Sequence, residues 1–100
     1  MKPHLPLSAT DLVAFCARHG IARLSVFGSV QRGTDGPDSD LDLLVEFLPG
    51  RSPGLIGLAS MQAELSALAA GRVIDLRTPA DLSQHFRAEV LRTAELAYAA

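Results

Sequence analysis

The stretch that decides the fold runs from residue 27 to residue 42, Phe-Gly-Ser-Val-Gln-Arg-Gly-Thr-Asp-Gly-Pro-Asp-Ser-Asp-Leu-Asp. It joins two apolar runs, Leu24–Phe27 and Leu41–Phe47, through a segment rich in glycine and aspartate. Short apolar runs bounded by such turn residues are typical of buried strands. We therefore interpret this stretch as a strand, a polar loop and a second strand, with the rest of the chain as their scaffold.

The second strand predicts a face that carries acidic groups. Side chains alternate along a strand, so Asp40 and Asp42 point the same way, together with Leu44 and Glu46. The opposite face is fully apolar and should be packed under helices: Leu41, Leu43, Val45 and Phe47.

Two carboxylates on one face of a strand lie ~6–7 Å apart at the backbone. At an effective dielectric near 20 they repel each other by roughly 2–3 kcal/mol, and Asp75 on a neighbouring strand would add to this repulsion. A divalent cation bound between the carboxylates turns this net repulsion into attraction, and hard oxygen ligands suit Mg²⁺ or Mn²⁺. Asp40, Asp42 and Asp75 are therefore candidate metal ligands of the kind that two-metal phosphoryl chemistry requires.

The residues that end the first strand suit a phosphate. Gly28 allows a phosphate to approach the backbone, and Ser29 offers a hydroxyl at the start of a predicted helical turn over residues 29–33. Arg32, three residues later, can reach the same anion with its planar guanidinium. Each motif is weak alone, because Asp-x-Asp is usually a solvated strand edge and Gly-Ser a plain turn.

The remaining segments predict alternating helices and strands. Residues 8–19 form a helix capped by Ser8 and ended by Gly20, and Ile21–Phe27 forms the first strand. A helix capped by Ser52 extends to about residue 70 with an apolar stripe that begins at Leu55, a third strand covers residues 72–78, and a final helix covers residues 84–98. The pattern predicts a small α/β domain with one sheet, without fixing the strand order.

Composition narrows the class of protein. The 100 residues are 48% apolar with a net charge of −2, which indicates one globular domain spanning residues 1–100. A polynucleotide-binding surface is usually basic, so a long nucleic acid is disfavoured as a partner. Cys16 is the only cysteine, and neither a signal peptide nor a membrane span is visible, so we expect a cytoplasmic protein without membrane association.

The three motifs together resemble the DNA polymerase β-like nucleotidyltransferase superfamily, and more closely the minimal nucleotidyltransferases (MNT) of bacteria and archaea. The resemblance runs from residues 27–33 through residues 39–45 to residues 72–78. It implies a polymerase β palm-like fold, with a single mixed sheet of about three or four strands packed with helices. It also implies that Asp40, Asp42 and Asp75 bind two Mg²⁺ ions and are catalytic.

The same resemblance implies that Gly28, Ser29 and Arg32 hold the triphosphate of ATP, the substrate. Minimal nucleotidyltransferases commonly act as antitoxins beside a HEPN-domain ribonuclease toxin and transfer AMP to a tyrosine hydroxyl of that toxin. The implied reaction is therefore protein AMPylation by in-line attack on the α-phosphate, with a HEPN toxin as partner. The sequence leaves open whether the chain forms homo-oligomers or hetero-oligomers.

Two alternatives remain. The chain could neutralise its partner by stoichiometric binding without catalysis, or it could transfer nucleotides to a small molecule as antibiotic-modifying members of the superfamily do. Five costly polar groups in one site favour the enzyme over the binding module, and the absence of a second domain counts against the small-molecule enzyme.

Overall fold

The computed structural model describes residues 7–27 and 41–100, apart from the side chains of His85 and Phe86. Along the chain its elements are helix α1 (Ala9–His19), strands β1 (Ile21–Phe27) and β2 (Leu41–Phe47), helix α2 (Gly54–Leu68), strand β3 (Ile74–Arg77), a 3₁₀ turn (Pro79–Asp81), helix α3 (Gln84–Thr93) and strand β4 (Glu95–Ala99). In these described residues no helix is long and apolar enough to span a bilayer.

The described strands form one mixed sheet in the order β3-β2-β1-β4. Strand β1 pairs antiparallel with both β2 and β4, whereas β2 and β3 pair in parallel. Parallel neighbours need a crossover connection, and α2 supplies it. The predicted α/β fold with a single mixed sheet of three or four strands is confirmed.

Helices α1 and α2 cover one face of the sheet and enclose the main core. The predicted apolar face of β2 lies here, with Leu41, Leu43 and Val45 almost fully buried. Full burial of one such side chain contributes about 1.5–3 kcal/mol, so this layer dominates the stability of the fold. The other members come from both helices and the neighbouring strands: Phe15, Cys16, Ile21, Leu24, Val26, Met61, Leu65, Ala69, Ile74 and Leu76.

A smaller apolar cluster covers part of the opposite face. Phe27 and Leu44 from the sheet pack there with Leu82, after the 3₁₀ turn, and Val90 of α3. Alternation groups Leu44 with acidic residues, and the structure confirms that it shares a face of β2 with Asp42 and Glu46. This second face is the one that carries the candidate site.

Helix α1 begins and ends as the sequence predicts. The Ser8 side chain accepts a hydrogen bond from the Asp11 backbone N–H at 3.1 Å, and Gly20 ends the helix in the left-handed conformation at φ 67°. A β-carbon at Gly20 would come within 2.6 Å of the Arg51 guanidinium carbon, so both the backbone conformation and the available space require glycine. Helix α1 is also tied to α2, because Arg18 and His19 both contact the Glu64 carboxylate.

The predicted final helix over residues 84–98 is wrong over its last five residues. Helix α3 ends at Thr93, and Glu95–Ala99 forms the edge strand β4. The segment Glu-Leu-Ala-Tyr-Ala is rich in residues that favour helices, and no glycine or proline marks the break. Pairing with β1 overrides that local preference.

Three smaller predictions also need correction. Ser52 does not cap α2, because the helix begins at Gly54 with Pro53 at the N-cap and without a side-chain cap bond. Leu55 begins the predicted apolar stripe, yet it is 83% exposed because it lies in the first turn of the helix, ahead of the buried Met61 and Leu65. The third strand is shorter than predicted, four residues rather than the whole of residues 72–78.

Candidate active site

The described part of the candidate site is a row of three residues across neighbouring strands. Asp42 lies opposite Asp75 in the parallel β2–β3 ladder and opposite Phe27 in the antiparallel β1–β2 ladder. Adjacent strands are ~4.8 Å apart, and paired residues point to the same face of a sheet. The structure therefore brings the carboxylates of Asp42 and Asp75 together beside the last residue of β1.

The other predicted site residues, Gly28, Ser29, Arg32 and Asp40, lie outside the described residues. In the sequence Gly28 directly follows Phe27, and Asp40 precedes Asp42 by two positions. Their roles in binding phosphate and metal stay predictions. Within residues 7–27 and 41–100, no group of three or more metal-ligating side chains forms.

Arg77 contacts Asp75 in the candidate site, although the sequence analysis assigns it no role there. Its Nε and Nη2 atoms donate to the Asp75 Oδ2 atom at 3.2 Å and 3.0 Å. Residues two apart on a strand share a face, so the spacing of Arg77 after Asp75 is the signal that could have identified it. Both side chains are partly exposed, 47% for Arg77 and 35% for Asp75.

The strand that holds Asp75 is an edge strand, and α2 anchors it. The Gln62 side-chain oxygen accepts a hydrogen bond from the Leu76 backbone N–H at 2.9 Å. Edge strands otherwise leave such groups without a partner in the sheet. Gln62 therefore fixes the height of β3 beside β2, and with it the alignment of Asp75 with Asp42.

The turn that follows β3 is closed by an acidic cap. The Asp81 Oδ2 atom accepts from the Thr78 backbone N–H at 3.1 Å and from the Thr78 hydroxyl at 2.9 Å. The backbone hydrogen bond and then the hydroxyl hydrogen bond hold the pKa of Asp81 below its usual value. This cap directs the chain from β3 toward α3, over the face that carries the carboxylates.

A shallow cavity of about 130 Å³ opens on the same face, further along β2. Its walls include Leu44, which follows Asp42 on that face, and Arg23 and Glu46, which pair across β1 and β2. Exposed apolar side chains from α3 and β4, Leu91 and Leu96, complete the rim. Sequence reasoning missed this cavity because it depends on β4.

The chemistry of the site follows from its donors. Asp42 and Asp75 supply hard carboxylate oxygens from two strands, and a divalent cation would relieve their repulsion, so the described residues fit Mg²⁺. Cys16 has no part in this site. It is fully buried in the core on the opposite face, where burial raises the pKa of its thiol to about 12.

Comparisons with known proteins identify the family of this chain. The family model for the nucleotidyltransferase domain matches residues 12–96. A protein of Methanocaldococcus jannaschii, provisionally named protein adenylyltransferase MJ0435, is 36% identical over 67 residues, which are 67% of this chain and 69% of that protein. The protein adenylyltransferase MntA of Thermococcus cleftensis is 37% identical over 75 residues, 75% of this chain and 73% of that protein.

Solved structures show the same fold. A protein provisionally described as a minimal nucleotidyltransferase superposes with a TM-score of 0.70 at 42% identity, covering 85% of this chain and 84% of that one. A toxin–antitoxin structure with AMP-PNP also has a TM-score of 0.70, at 18% identity, covering 94% of this chain and 75% of that one. At that low identity the second likeness concerns the fold alone.

Proposed function

Because this chain belongs to the nucleotidyltransferase domain family, and within it to the minimal nucleotidyltransferases, we propose that it is a Mg²⁺-dependent protein adenylyltransferase. The observation that carries the proposal is the register of Asp42 with Asp75, beside the point where β1 leads into Gly28. That register supports a metal-binding role for the two carboxylates, both of which follow the predicted phosphate-binding turn in the sequence. Two curated relatives named as protein adenylyltransferases support the choice of reaction.

Each predicted site residue has one task in this proposal. Gly28, Ser29 and Arg32 hold the triphosphate of ATP and leave its α-phosphate facing the carboxylates. Asp40, Asp42 and Asp75 hold two Mg²⁺ ions, which when bound stabilise the attacking and leaving oxygens.

The reaction then balances as a simple transfer. A tyrosine hydroxyl of the acceptor protein attacks the α-phosphorus of ATP in line with the bond to pyrophosphate. The new oxygen–phosphorus bond forms as the old one breaks, and the hydroxyl proton passes to the carboxylate of Asp75. The products are an adenylylated tyrosine and pyrophosphate.

The biological role in this proposal is that of an antitoxin, with a HEPN-domain ribonuclease encoded nearby as acceptor. A solved toxin–antitoxin structure shares only the fold, and it motivates this choice of acceptor without establishing it. Each AMP group carries a phosphate, and negative charge near an RNA-cutting site repels the RNA backbone. AMPylation would therefore inactivate the toxin without a permanent complex.

The experiment is an intact-mass measurement of the acceptor. The purified chain is incubated with Mg²⁺, ATP and the product of the adjacent gene, and we expect mass gains in whole adenylyl steps. Asp42→Asn and Asp75→Asn should each lower the rate by at least about 10²-fold, the scale of losing one preorganised electrostatic group. Glu89→Gln, an exposed carboxylate of α3, is the matched control and should leave the rate unchanged.

A binding-only antitoxin gives a different pattern. The acceptor would show no mass gain, and Asp42→Asn would still neutralise the toxin at stoichiometric dose. That pair of results would reject the enzymatic proposal in favour of the binding module. Transfer of AMP to an added small molecule but not to the protein would instead identify a small-molecule nucleotidyltransferase.

A further inference from the structure

We infer that Arg77 is a positioning residue for the metal site, in that it orients the carboxylate of Asp75 for metal binding. The inference rests on the proposed function, since it concerns the same carboxylates. It assigns a task to a residue within the 72–78 motif for which the sequence alone predicts none.

The hydrogen bonds of Arg77 are directed at a single oxygen. Both its Nε and its Nη2 donate to Oδ2 of Asp75, at 3.2 Å and 3.0 Å. Among the described residues, none donates a hydrogen bond to the other carboxylate oxygen, Oδ1. Two N–H groups on one edge of a planar guanidinium that converge on one oxygen restrict the torsions of the carboxylate and leave the second oxygen available to a cation.

The position of Asp75 makes such an anchor useful. The residue lies on the edge strand β3, and its side chain is 35% exposed. A partly exposed aspartate without a partner samples several rotamers, and binding a metal through it then costs side-chain entropy. Carboxylates that ligate metals are commonly held by hydrogen bonds from a second group, and loss of that group typically weakens metal binding or activity by about 10–100-fold.

The charge of Arg77 acts in the opposite direction. A guanidinium next to the metal site repels a divalent cation, so a residue serving only as a counter-charge would weaken metal binding. Orientation and charge therefore predict opposite effects of removing Arg77. A substitution that keeps the charge and removes the two-donor grip separates them, and Arg77→Lys does this because its ammonium is a single point donor.

The test is a titration with Mn²⁺, followed by electron paramagnetic resonance, in the presence of the uncleavable analogue α,β-methylene-ATP. We expect Arg77→Lys to bind Mn²⁺ about tenfold more weakly than the wild type, the lower end of the range for such supporting groups. Arg92→Lys, an exposed arginine in the last turn of α3, is the matched control and should bind as the wild type does. The metal-free unfolding temperature of Arg77→Lys should stay unchanged, because exposed ion pairs contribute little to stability.

The outcomes separate this inference from the proposed function. If Mn²⁺ binding by the wild type is lost in Asp75→Asn but kept in Arg77→Lys, the proposed metal site stands and the positioning role of Arg77 is overturned. Unchanged binding in Arg77→Lys together with tighter binding in Arg77→Met identifies a counter-charge instead. No binding by the wild type overturns the proposed metal site and the inference with it.

Discussion

Divalent metal and nucleotide should stabilise the folded protein, and Asp42→Asn should remove most of this stabilisation. The reason is the register of Asp42 with Asp75 across β2 and β3. Two carboxylates about 5 Å apart repel each other by about 0.8 kcal/mol in water and about 3 kcal/mol at a dielectric of 20. The Asp75 side chain is 35% exposed to water, so the smaller repulsion energy, that in water, is the better approximation for this pair.

The gain from binding follows from mass action. A ligand at a hundredfold excess over its dissociation constant stabilises the folded state by about 2.7 kcal/mol. For a domain of about 100 residues each kcal/mol raises the unfolding temperature by about 4–8 °C, so we expect a rise of about 10–20 °C. Removing one carboxylate charge about 3 Å from a divalent ion costs about 3 kcal/mol even in water, which is more than a hundredfold in affinity. At the same ligand concentration the variant would gain only about 0.4 kcal/mol, or about 2–3 °C.

The assay is thermal unfolding by circular dichroism, with and without Mg²⁺ and α,β-methylene-ATP, for the wild type and Asp42→Asn. Glu89→Gln serves as the control for loss of a carboxylate away from the site. An equal rise in all three proteins would mean that ligand binds elsewhere, and would refute the assignment of Asp42. The absence of any rise in the wild type would refute the metal site itself.

Three further predictions concern the scaffold. In urea unfolding, Gly20→Ala should lower the free energy of unfolding by more than the roughly 1–2 kcal/mol expected for a left-handed backbone, because its methyl group would meet the Arg51 side chain. Gly50→Ala, at φ 76° in open space, should lose only that backbone contribution. Cys16, whose thiol pKa burial raises to about 12, should resist iodoacetamide in the native state and react only on unfolding, as followed by mass spectrometry. Hydrogen bonds from Thr78 hold the folded pKa of Asp81 below its usual value. The contribution of Asp81 to the free energy of unfolding is therefore fully present above the unfolded pKa of about 3.9 and is lost as pH falls through the folded pKa. In urea titrations the stability difference between wild type and Asp81→Asn should shrink below about pH 4.

The sequence predicts best those features that depend on neighbouring residues. Helix α1 has its cap at Ser8 and its stop at Gly20, and both are local chemistry, so its bounds were predicted within a residue. The alternation along β2 likewise places Leu43 in the core and Asp42 on the opposite face. Strand β4 could not be predicted in this way, because its residues favour a helix and only the pairing with β1 makes them extended.

The candidate site also combines features that local sequence predicts with features that depend on tertiary pairing. Asp42 and Asp75 could be selected from their motifs, but their alignment is a property of the β2–β3 register, which no local pattern specifies. Gln62 could not be identified for the same reason, since it acts through a contact with Leu76 that is made only in the folded chain. The residues of the connection after Phe27 can be tested only by experiment, because they lie outside the described part of the chain.

The alignment of the two carboxylates depends on how the edge strand is fixed. Strand β3 is four residues long and has β2 as its only partner in the described sheet, so few ladder hydrogen bonds determine its height. Gln62 adds a hydrogen bond on the outer side, from α2 to the Leu76 N–H, one residue beyond Asp75. Since a slip of one residue would turn Asp75 toward the core, this bond helps to maintain the register on which the proposed metal binding depends. Helix α2 thus contributes to the proposed chemistry by aligning the edge strand, without supplying a ligand itself.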